Sequence, residues 1–269
     1  MDPLQPVQII ADRFAQFPQV AAVALAASVM TGGSDARSDF DIYVYTRAAI
    51  PADARAQIAR DLADPNKPIE IDNPYWGTED AWTERTSGVK ADLIYWSPDF
   101  IEDQTERVLV RHEAWVGYST CFWYTLLHST PYYDPQGWFA GLRQRADQPY
   151  PDALRRDVVR KNYPVLRRAI PSYRAQIDLA IQRQDRISLN HRIAALLASY
   201  FDVLFAVNCA PNPGEKRLIQ RVRQFCPVVP DGWEPQIDAL LCSVAQPWAS
   251  ADGLDRVDAL VDGLERVLI

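Results

Sequence analysis

The hydrophobic periodicity of this chain changes near Tyr150, and that change constrains its fold more than any other feature of the sequence. Before this point, short apolar runs with strand character alternate with segments of helical spacing. After it, nearly every segment has helical spacing, and Arg186–Asn208 is apolar almost all round, as expected of the central helix of a bundle. The pattern predicts an α+β chain of two domains, 1–148 and 149–269.

The first domain is predicted to hold one sheet with flanking helices. Its four main strands are Val20–Ala27, Asp39–Tyr45, Lys67–Asp72 and Lys90–Trp96. Helices are predicted over Leu4–Phe17, over Pro51–Asp64 and from Pro98 to about Glu113, and a further short strand is predicted at Pro131–Asp134. The connection between the third and fourth strands is rich in aromatic residues, which either cover the core or stack on a ligand.

The second domain is predicted to be an all-α bundle. Its helices cover Asp152–Gln184 with breaks at Pro164 and Pro171, then Arg186–Asn208, Gly214–Phe225, Asp231–Val244 and Ala251–Leu268. The last helix carries one apolar stripe, Leu254, Val257, Leu260, Val261, Leu264 and Val267, which we expect to be buried. Asp202 lies inside the apolar central helix, where it either faces a cleft or pairs with an arginine.

Composition narrows the classes of partner. With 269 residues, 48% of them hydrophobic and 23% charged, the chain falls in the globular range. A net charge of −7 disfavours binding to nucleic acid, which calls for clustered Lys and Arg. The four cysteines include no C-x-x-C pair, which predicts reduced thiols. The start of the chain lacks the character of a secretory signal, which predicts a cytoplasmic location. No apolar span is long and uninterrupted enough to cross a bilayer, so no membrane partner is expected.

Asp39 and Asp41 are the first candidates for chemistry. They lie two residues apart on a predicted strand, so both carboxylates project from the same face of the sheet. Mg²⁺ prefers oxygen ligands and is commonly held by one or two carboxylates together with substrate phosphates. The pair therefore predicts a Mg²⁺ site, whereas two solvated acids on a strand edge are the alternative.

The spacing upstream of this pair is more specific. Ser28 ends the first strand, and ten residues, Val29–Ser38, separate it from Asp39, with Gly32 and Gly33 in the middle. The stretch from Ala27 to Val44 reads ASVMTGGSDARSDFDIYV. It resembles the DNA polymerase β-like nucleotidyltransferase superfamily, and in motif it is most similar to bacterial aminoglycoside adenylyltransferases, which also carry Gly-Gly in this loop and Ser before the first Asp. Ala27 stands where that family has Gly.

The resemblance implies a small mixed β-sheet nucleotidyltransferase domain followed by a helical domain. It also implies that Ser28, Gly32, Gly33 and Ser38 contact the nucleotide, that Asp39 and Asp41 bind Mg²⁺, and that a third acid comes from a neighbouring strand. Asp92 in the strand Lys90–Trp96 is the candidate for that acid. It would serve as a metal ligand or as the base at the acceptor hydroxyl, and it has neither role if its side chain faces water. If Asp92 is buried, a cationic group should lie beside it.

A second, shorter likeness lies in the helical half. The turn Pro213-Gly-Glu-Lys216 resembles one found in helical domains that accompany some uncharacterised nucleotidyltransferases. The likeness implies that Lys216 meets the triphosphate, and the alternative is an ordinary surface lysine in a first helical turn.

Together the motifs predict a Mg²⁺-dependent nucleotidyltransferase. The expected reaction moves a nucleoside monophosphate, AMP from ATP, to a hydroxyl of a small molecule such as an aminoglycoside-like compound. Two alternatives remain open at this stage: a nucleotidyltransferase that acts on a protein or an RNA end, and a non-catalytic nucleotide-binding sensor.

Overall fold

The computed structural model describes residues 3–26, 39–75, 77–244 and 252–268. The chain divides into two compact units. A sheet unit consists of Met1–Thr105 and Thr125–Gln148, and a helical unit consists of Glu106–Tyr124 and Pro149–Ile269. Within the described ranges, no helix has the length and apolarity that a membrane crossing requires.

The sheet unit contains a mixed sheet of six strands. The strands are β1 (Val20–Leu25), β2 (Phe40–Thr46), β3 (Ile69–Asn73), β4 (Glu79–Thr83), β5 (Lys90–Trp96) and β6 (Thr130–Tyr133). Their order across the sheet is β3-β4-β5-β2-β1-β6. The pair β2–β5 is parallel and the other neighbouring pairs are antiparallel. The predicted α+β class is thereby confirmed.

Helices α1 (Gln5–Phe14) and α2 (Ala52–Leu62) cover one face of this sheet. The residues of β2 and β5 that are buried in this core are Phe40, Ile42, Val44, Ala91 and Leu93. Because successive side chains of a strand point to opposite faces, the residues between them lie on the other face. That second face carries the candidate acids.

Strand β4 is absent from the sequence prediction, and the reason lies in its buried face. Its two buried residues are Asp80 and Trp82, so one of the two side chains on its core face is a carboxylate rather than an apolar group. Asp80 is fully buried and accepts hydrogen bonds from Arg55 Nη1, from the Tyr95 hydroxyl at 2.6 Å and from the backbone N–H of Asp72 at 2.8 Å. These partners compensate the burial of its charge. Trp82, one of the aromatic residues between the third and fourth predicted strands, is a buried core residue of β4.

Three helices complete the sheet unit and its junctions: α3 (Pro98–Leu109), α4 (Cys121–His128) and α5 (Trp138–Ala146). The division between the units falls within α3, after Thr105, and within α4, after Tyr124. The remaining helices belong to the helical unit: α6 (Asp152–Arg167), α7 (Tyr173–Gln182), α8 (Arg186–Val207), α9 (Leu218–Phe225), α10 (Trp233–Val244) and α11 (Asp252–Leu268).

The core of the helical unit surrounds α8. Leu196, Tyr200, Leu204 and Phe205 of this helix are fully buried. The expected stripe of the last helix is confirmed, since four of its six members are fully buried and Leu254 and Val267 pack partly buried against the same core. Pro164 does not interrupt its helix, because α6 continues to Arg167. The expected break at Pro171 is present, and Ser172 caps α7.

Residues 106–124 group with the helices rather than with the sheet. The physical reason is a buried polar cluster around Asp202 of α8, to which we refer as the Asp202 cluster. The carboxylate accepts hydrogen bonds from Ser119, through its backbone N–H and hydroxyl, and from the side-chain amides of Asn162 and Asn212. Ser119 thereby belongs to the helical unit, although the sequence pattern alone placed it in the domain 1–148.

Candidate active site

Asp41 and Asp92 lie side by side on the face of the sheet opposite the α1–α2 core. They are register partners on the parallel neighbours β2 and β5, and paired residues of adjacent strands project from the same face. Asp39 comes immediately before β2 and has the same parity as Asp41. The structure therefore brings together the three acids that the sequence analysis selected.

Lys90 occupies the same face, two residues before Asp92 on β5. Its ammonium nitrogen lies 2.8 Å from Oδ1 of Asp92 and 3.0 Å from Oδ2, so one cation contacts both carboxylate oxygens. The hydrogen bond to Asp92 is the main cause that raises the pKa of Lys90, and the charges of Asp39 and Asp41 add to it. Asp92 is 21% exposed and therefore only partly buried, and Lys90 is a cation that lies beside it.

Glu79 is a fourth carboxylate at this place, and the sequence analysis missed it. It begins β4, where it is the register partner of Ile94, and it is half-buried. Burial raises the pKa of Glu79, the charges of Asp92 and Asp41 raise it as well, and Lys90 lowers it. Recognising β4 as a strand would have identified Glu79, because Asp80 and Trp82 on the core face leave residue 79 on the face of the acids.

Aromatic side chains border the acids along the same strands. Tyr43 follows Asp41 by two residues and contacts Trp96, with ring centroids 4.4 Å apart. Trp96 contacts Phe100 of α3 at 5.3 Å, and the buried Tyr45 contacts Trp138 and Phe139 of α5, each at 5.3 Å. These rings cover the part of this face that lies beyond the carboxylates along β2 and β5.

Four predicted nucleotide contacts lie outside the described residues: Ser28, Gly32, Gly33 and Ser38. The chain approaches this segment next to the acids, because the backbone N–H of Ala26 donates to the carbonyl oxygen of Asp41 at 2.9 Å. Their role in binding phosphate remains a prediction from the motif.

Lys216 lies in the helical unit, in the turn before α9. The predicted helix begins later than expected, at Leu218, because Arg217 has a positive φ of 58°. The turn is held from within its unit: the side-chain oxygen of Asn212 accepts from the N–H of Gly214 at 2.9 Å, and the N–H of Asn212 donates to Thr120 Oγ1 at 2.7 Å. Lys216 itself is exposed, and its predicted contact with a triphosphate remains a prediction.

The donor set on the sheet face suits Mg²⁺. Within the described ranges, no three or more His, Cys, Asp or Glu side chains are grouped so as to hold a metal by themselves. Mg²⁺ typically needs only one or two carboxylates, with substrate phosphates and water completing its shell. Asp39 and Asp41 supply two carboxylates, and an ammonium group already lies in their electrostatic field.

Comparison with solved structures gives a likeness of fold. The chain is similar in structure to a nucleotidyltransferase-like protein from Exiguobacterium sibiricum 255-15. The identity is 11%, the TM-score is 0.44, and the match covers 98% of this chain and 73% of that chain. The chain matches no family model and no curated protein. At this level of similarity, any assignment of chemistry depends on the residues of the site itself.

The four cysteines, Cys121, Cys209, Cys226 and Cys242, are free thiols. Burial raises the pKa of Cys121 to about 11 and that of Cys226 to about 12, so neither is a reactive thiolate at neutral pH. Both are therefore apolar packing residues rather than nucleophiles.

Proposed function

We propose that the protein is a Mg²⁺-dependent nucleotidyltransferase that moves the nucleoside monophosphate of ATP to a hydroxyl of a small molecule. The observation that carries the proposal is the convergence of Asp39, Asp41 and Asp92 on one face of β2 and β5. The motif that joins Asp39 to the Ser28–Gly33 segment supports it from the sequence.

In this reaction the acceptor oxygen attacks the α-phosphorus of ATP. A new P–O bond forms, the bond to the β-phosphate oxygen breaks with its electron pair, and pyrophosphate leaves. Asp39 and Asp41 would hold Mg²⁺, which supplies positive charge to the phosphate oxygens when it is bound. The proton of the acceptor hydroxyl passes to a base, and Asp92 is positioned for that role or as a further metal ligand.

An acidic face also favours a cationic acceptor. Glu79, Asp92 and Asp41 lie in one electrostatic field, and only part of that charge is needed for the metal. An acceptor that carries amino groups, such as an aminoglycoside, would be attracted to this face. The attraction would weaken as salt shortens the Debye length, which is about 8 Å at physiological ionic strength.

The test is mass spectrometry of a panel of hydroxyl compounds incubated with the protein, ATP and Mg²⁺. The panel should contain aminoglycosides, neutral sugars, anionic alcohols, a protein lysate and RNA oligonucleotides. A mass gain of one AMP on a small hydroxyl compound, lost with EDTA and in Asp39→Asn, supports the proposal. Labelling confined to protein or RNA would favour the alternative of a nucleotidyltransferase that acts on a protein or an RNA end. Nucleotide binding without any transfer would favour a sensor.

A matched control variant separates the effect of losing a motif carboxylate from the effect of losing any one acidic side chain. Asp238 is an exposed acid on α10 in the helical unit. Asp238→Asn makes the same charge change as Asp39→Asn at an exposed position outside the motif. We expect its transfer rate to remain within about twofold of the wild type, because a screened surface charge contributes little.

A further inference from the structure

Lys90 is the feature of the sheet face that the proposed reaction does not use. Its ammonium interacts electrostatically with all four carboxylates: it is paired with Asp92, its pKa is raised by Asp39 and Asp41, and its charge lowers the pKa of Glu79. The pairing is the local consequence of strand geometry, because residues two apart on β5 project from the same face.

The contact with Lys90 occupies the carboxylate that would serve as the further metal ligand, Asp92. The ammonium of Lys90 donates to Oδ2 of Asp92 at 3.0 Å, and its nitrogen lies 2.8 Å from Oδ1 in an ion pair. A divalent cation bound to Asp92 competes for the same two oxygens and repels the lysine charge. The four-carbon stem of Lys90 is half exposed, so the ammonium has room to leave without a change in the backbone.

We infer that Lys90 is a built-in counter-cation of the carboxylate face, which stabilises the acids in the metal-free protein and must release Asp92 before a divalent ion binds there. Lys90 is thus a positioning residue that sets the affinity of the site for metal. The inference rests on the proposed function, since it takes the carboxylate face to be a metal site.

The experiment measures metal binding to the full-length protein without nucleotide. Mn²⁺ serves as the probe, with free Mn²⁺ followed by electron paramagnetic resonance and Mg²⁺ added as competitor. We expect Lys90→Gln to lower the Kd for Mn²⁺ about tenfold, which corresponds to about 1.4 kcal/mol. Lys90→Arg, which keeps the charge, should bind no more tightly than the wild type.

Two controls separate the local effect from a general change of charge. Lys67 is an exposed lysine of the same unit, and Lys67→Gln should change the Kd by less than about twofold because surface charges are screened. In an Asp92→Asn background, adding Lys90→Gln should lower the Kd by much less than it does in the wild-type background, since the carboxylate for which the two cations compete is gone.

The melting temperature gives a second measurement of the competition between Lys90 and a divalent cation. In EDTA, Lys90→Gln should melt at a lower temperature than the wild type, because the acids lose their counter-charge. Saturating Mn²⁺ should raise the melting temperature of this variant more than that of the wild type. A lysine with a merely structural role would lower the melting temperature in EDTA and leave the Mn²⁺ affinity unchanged.

Nuclear magnetic resonance of the wild type tests the inference without any substitution. The chain has only four lysines, Lys67, Lys90, Lys161 and Lys216, so their side-chain ¹⁵N signals can be assigned individually. Addition of Mg²⁺ should shift the signal of Lys90 and leave those of Lys67 and Lys161 in place.

The outcomes distinguish this inference from the proposed function. If the wild type binds Mn²⁺ and Lys90→Gln binds it equally or less tightly, or if the Lys90 signal does not move as Mg²⁺ binds, the counter-cation role is wrong and the proposed function stands. If neither the wild type nor any variant binds Mn²⁺ in the absence of nucleotide, the counter-cation role is wrong, whereas the proposed function is overturned only if transfer with ATP and Mg²⁺ is absent as well.

Discussion

At the scale of single residues, the site is a balance between like charges and one opposing charge. Asp41 and Asp92 are direct neighbours across β2 and β5, and like charges placed so are unfavourable unless a cation compensates them. Lys90 supplies that compensation in the metal-free protein. The alternation of a strand predicts that Asp39 and Asp41 share a face, the resemblance selects Asp92 from a neighbouring strand, and the register of β2 and β5 places Asp92 beside Asp41.

Asp39→Asn or Asp41→Asn should leave the fold intact and remove Mg²⁺-dependent transfer. An amide keeps the shape of the carboxylate and loses the charge that holds the cation. We expect the rate to fall by about a thousandfold or more, at the upper end of the effect of removing a major electrostatic stabiliser. Circular dichroism checks that the fold is intact, and mass spectrometry of the product measures the rate of transfer. Transfer at the wild-type rate in either variant would contradict the metal assignment.

Asp92→Asn should reduce transfer by about a hundredfold or more, the range typical for loss of a general base. Calorimetry of Mg²⁺-ATP binding then separates the two roles. If Asp92 is the base, affinity stays near that of the wild type while transfer collapses. If it is a ligand, affinity falls with the rate. A variant with full affinity and full rate would show that Asp92 has neither role.

Lys216→Ala should weaken the binding of ATP about tenfold and leave acceptor binding almost unchanged, because a lysine contributes as a point charge on phosphate. Isothermal titration calorimetry with each ligand measures both effects. Lys161→Ala, which removes a lysine that donates to the carbonyl oxygen of Ala114, is the matched control. Equal ATP affinity in Lys216→Ala and the wild type would make Lys216 an ordinary surface residue.

At the scale of elements, a strand could be predicted from the sequence only where its core face is apolar. Strands β2 and β5 were predictable because their core faces are wholly apolar. Strand β4 was missed because Asp80 takes a core position, and its partner Arg55 comes from α2, 25 residues earlier. Local periodicity contains no information about such a distant partner, and the omission of β4 also concealed Glu79.

Arg55→Met should destabilise the protein strongly, since Asp80 would keep a buried charge without its cation. Loss of one partner of a buried ion pair costs about 3–5 kcal/mol of unfolding free energy. Urea denaturation measures the loss. Arg60→Met, at an exposed position of the same helix, is the control and should stay within about 0.5 kcal/mol of the wild type. Equal stability of the two variants would mean that the Arg55–Asp80 pair does not hold β4.

At the scale of the whole molecule, the units are not two consecutive stretches of chain. The change of periodicity near Tyr150 indicates where the helical sequence begins, and it cannot show that residues 106–124 pack with the helices. That information lies in the Asp202 cluster, whose members Ser119, Asn162 and Asn212 come from three separate parts of the helical unit.

The Asp202 cluster should make stability depend on pH. Burial raises the pKa of Asp202 from 3.8 to about 6, although the hydrogen bonds from Ser119 and Asn212 oppose the shift. A carboxyl group with a raised pKa in the folded state favours folding below its unfolded pKa, and this contribution is lost as the pH rises through about 6. The contribution amounts to as much as about 3 kcal/mol.

The measurement compares the wild type with Asp202→Asn, which cannot titrate. The unfolding free energy of the wild type relative to the variant should increase as the pH is lowered from 7 towards 4. Asp202→Asn should also be less stable at pH 7, because its amide N–H groups face the donors of Ser119 and the two asparagines. A difference between the two proteins that is independent of pH would show that Asp202 keeps an ordinary pKa.

The position of Ser119 in the chain has a consequence for synthesis on the ribosome. Ser119 emerges 83 residues before Asp202, the carboxylate that accepts from its backbone and hydroxyl. At about 5–20 residues per second, this interval lasts about 4–17 s. A nascent chain halted between these two residues presents the segment 106–124 without its native partner. A chaperone that binds unfolded segments would therefore bind 106–124 during this interval.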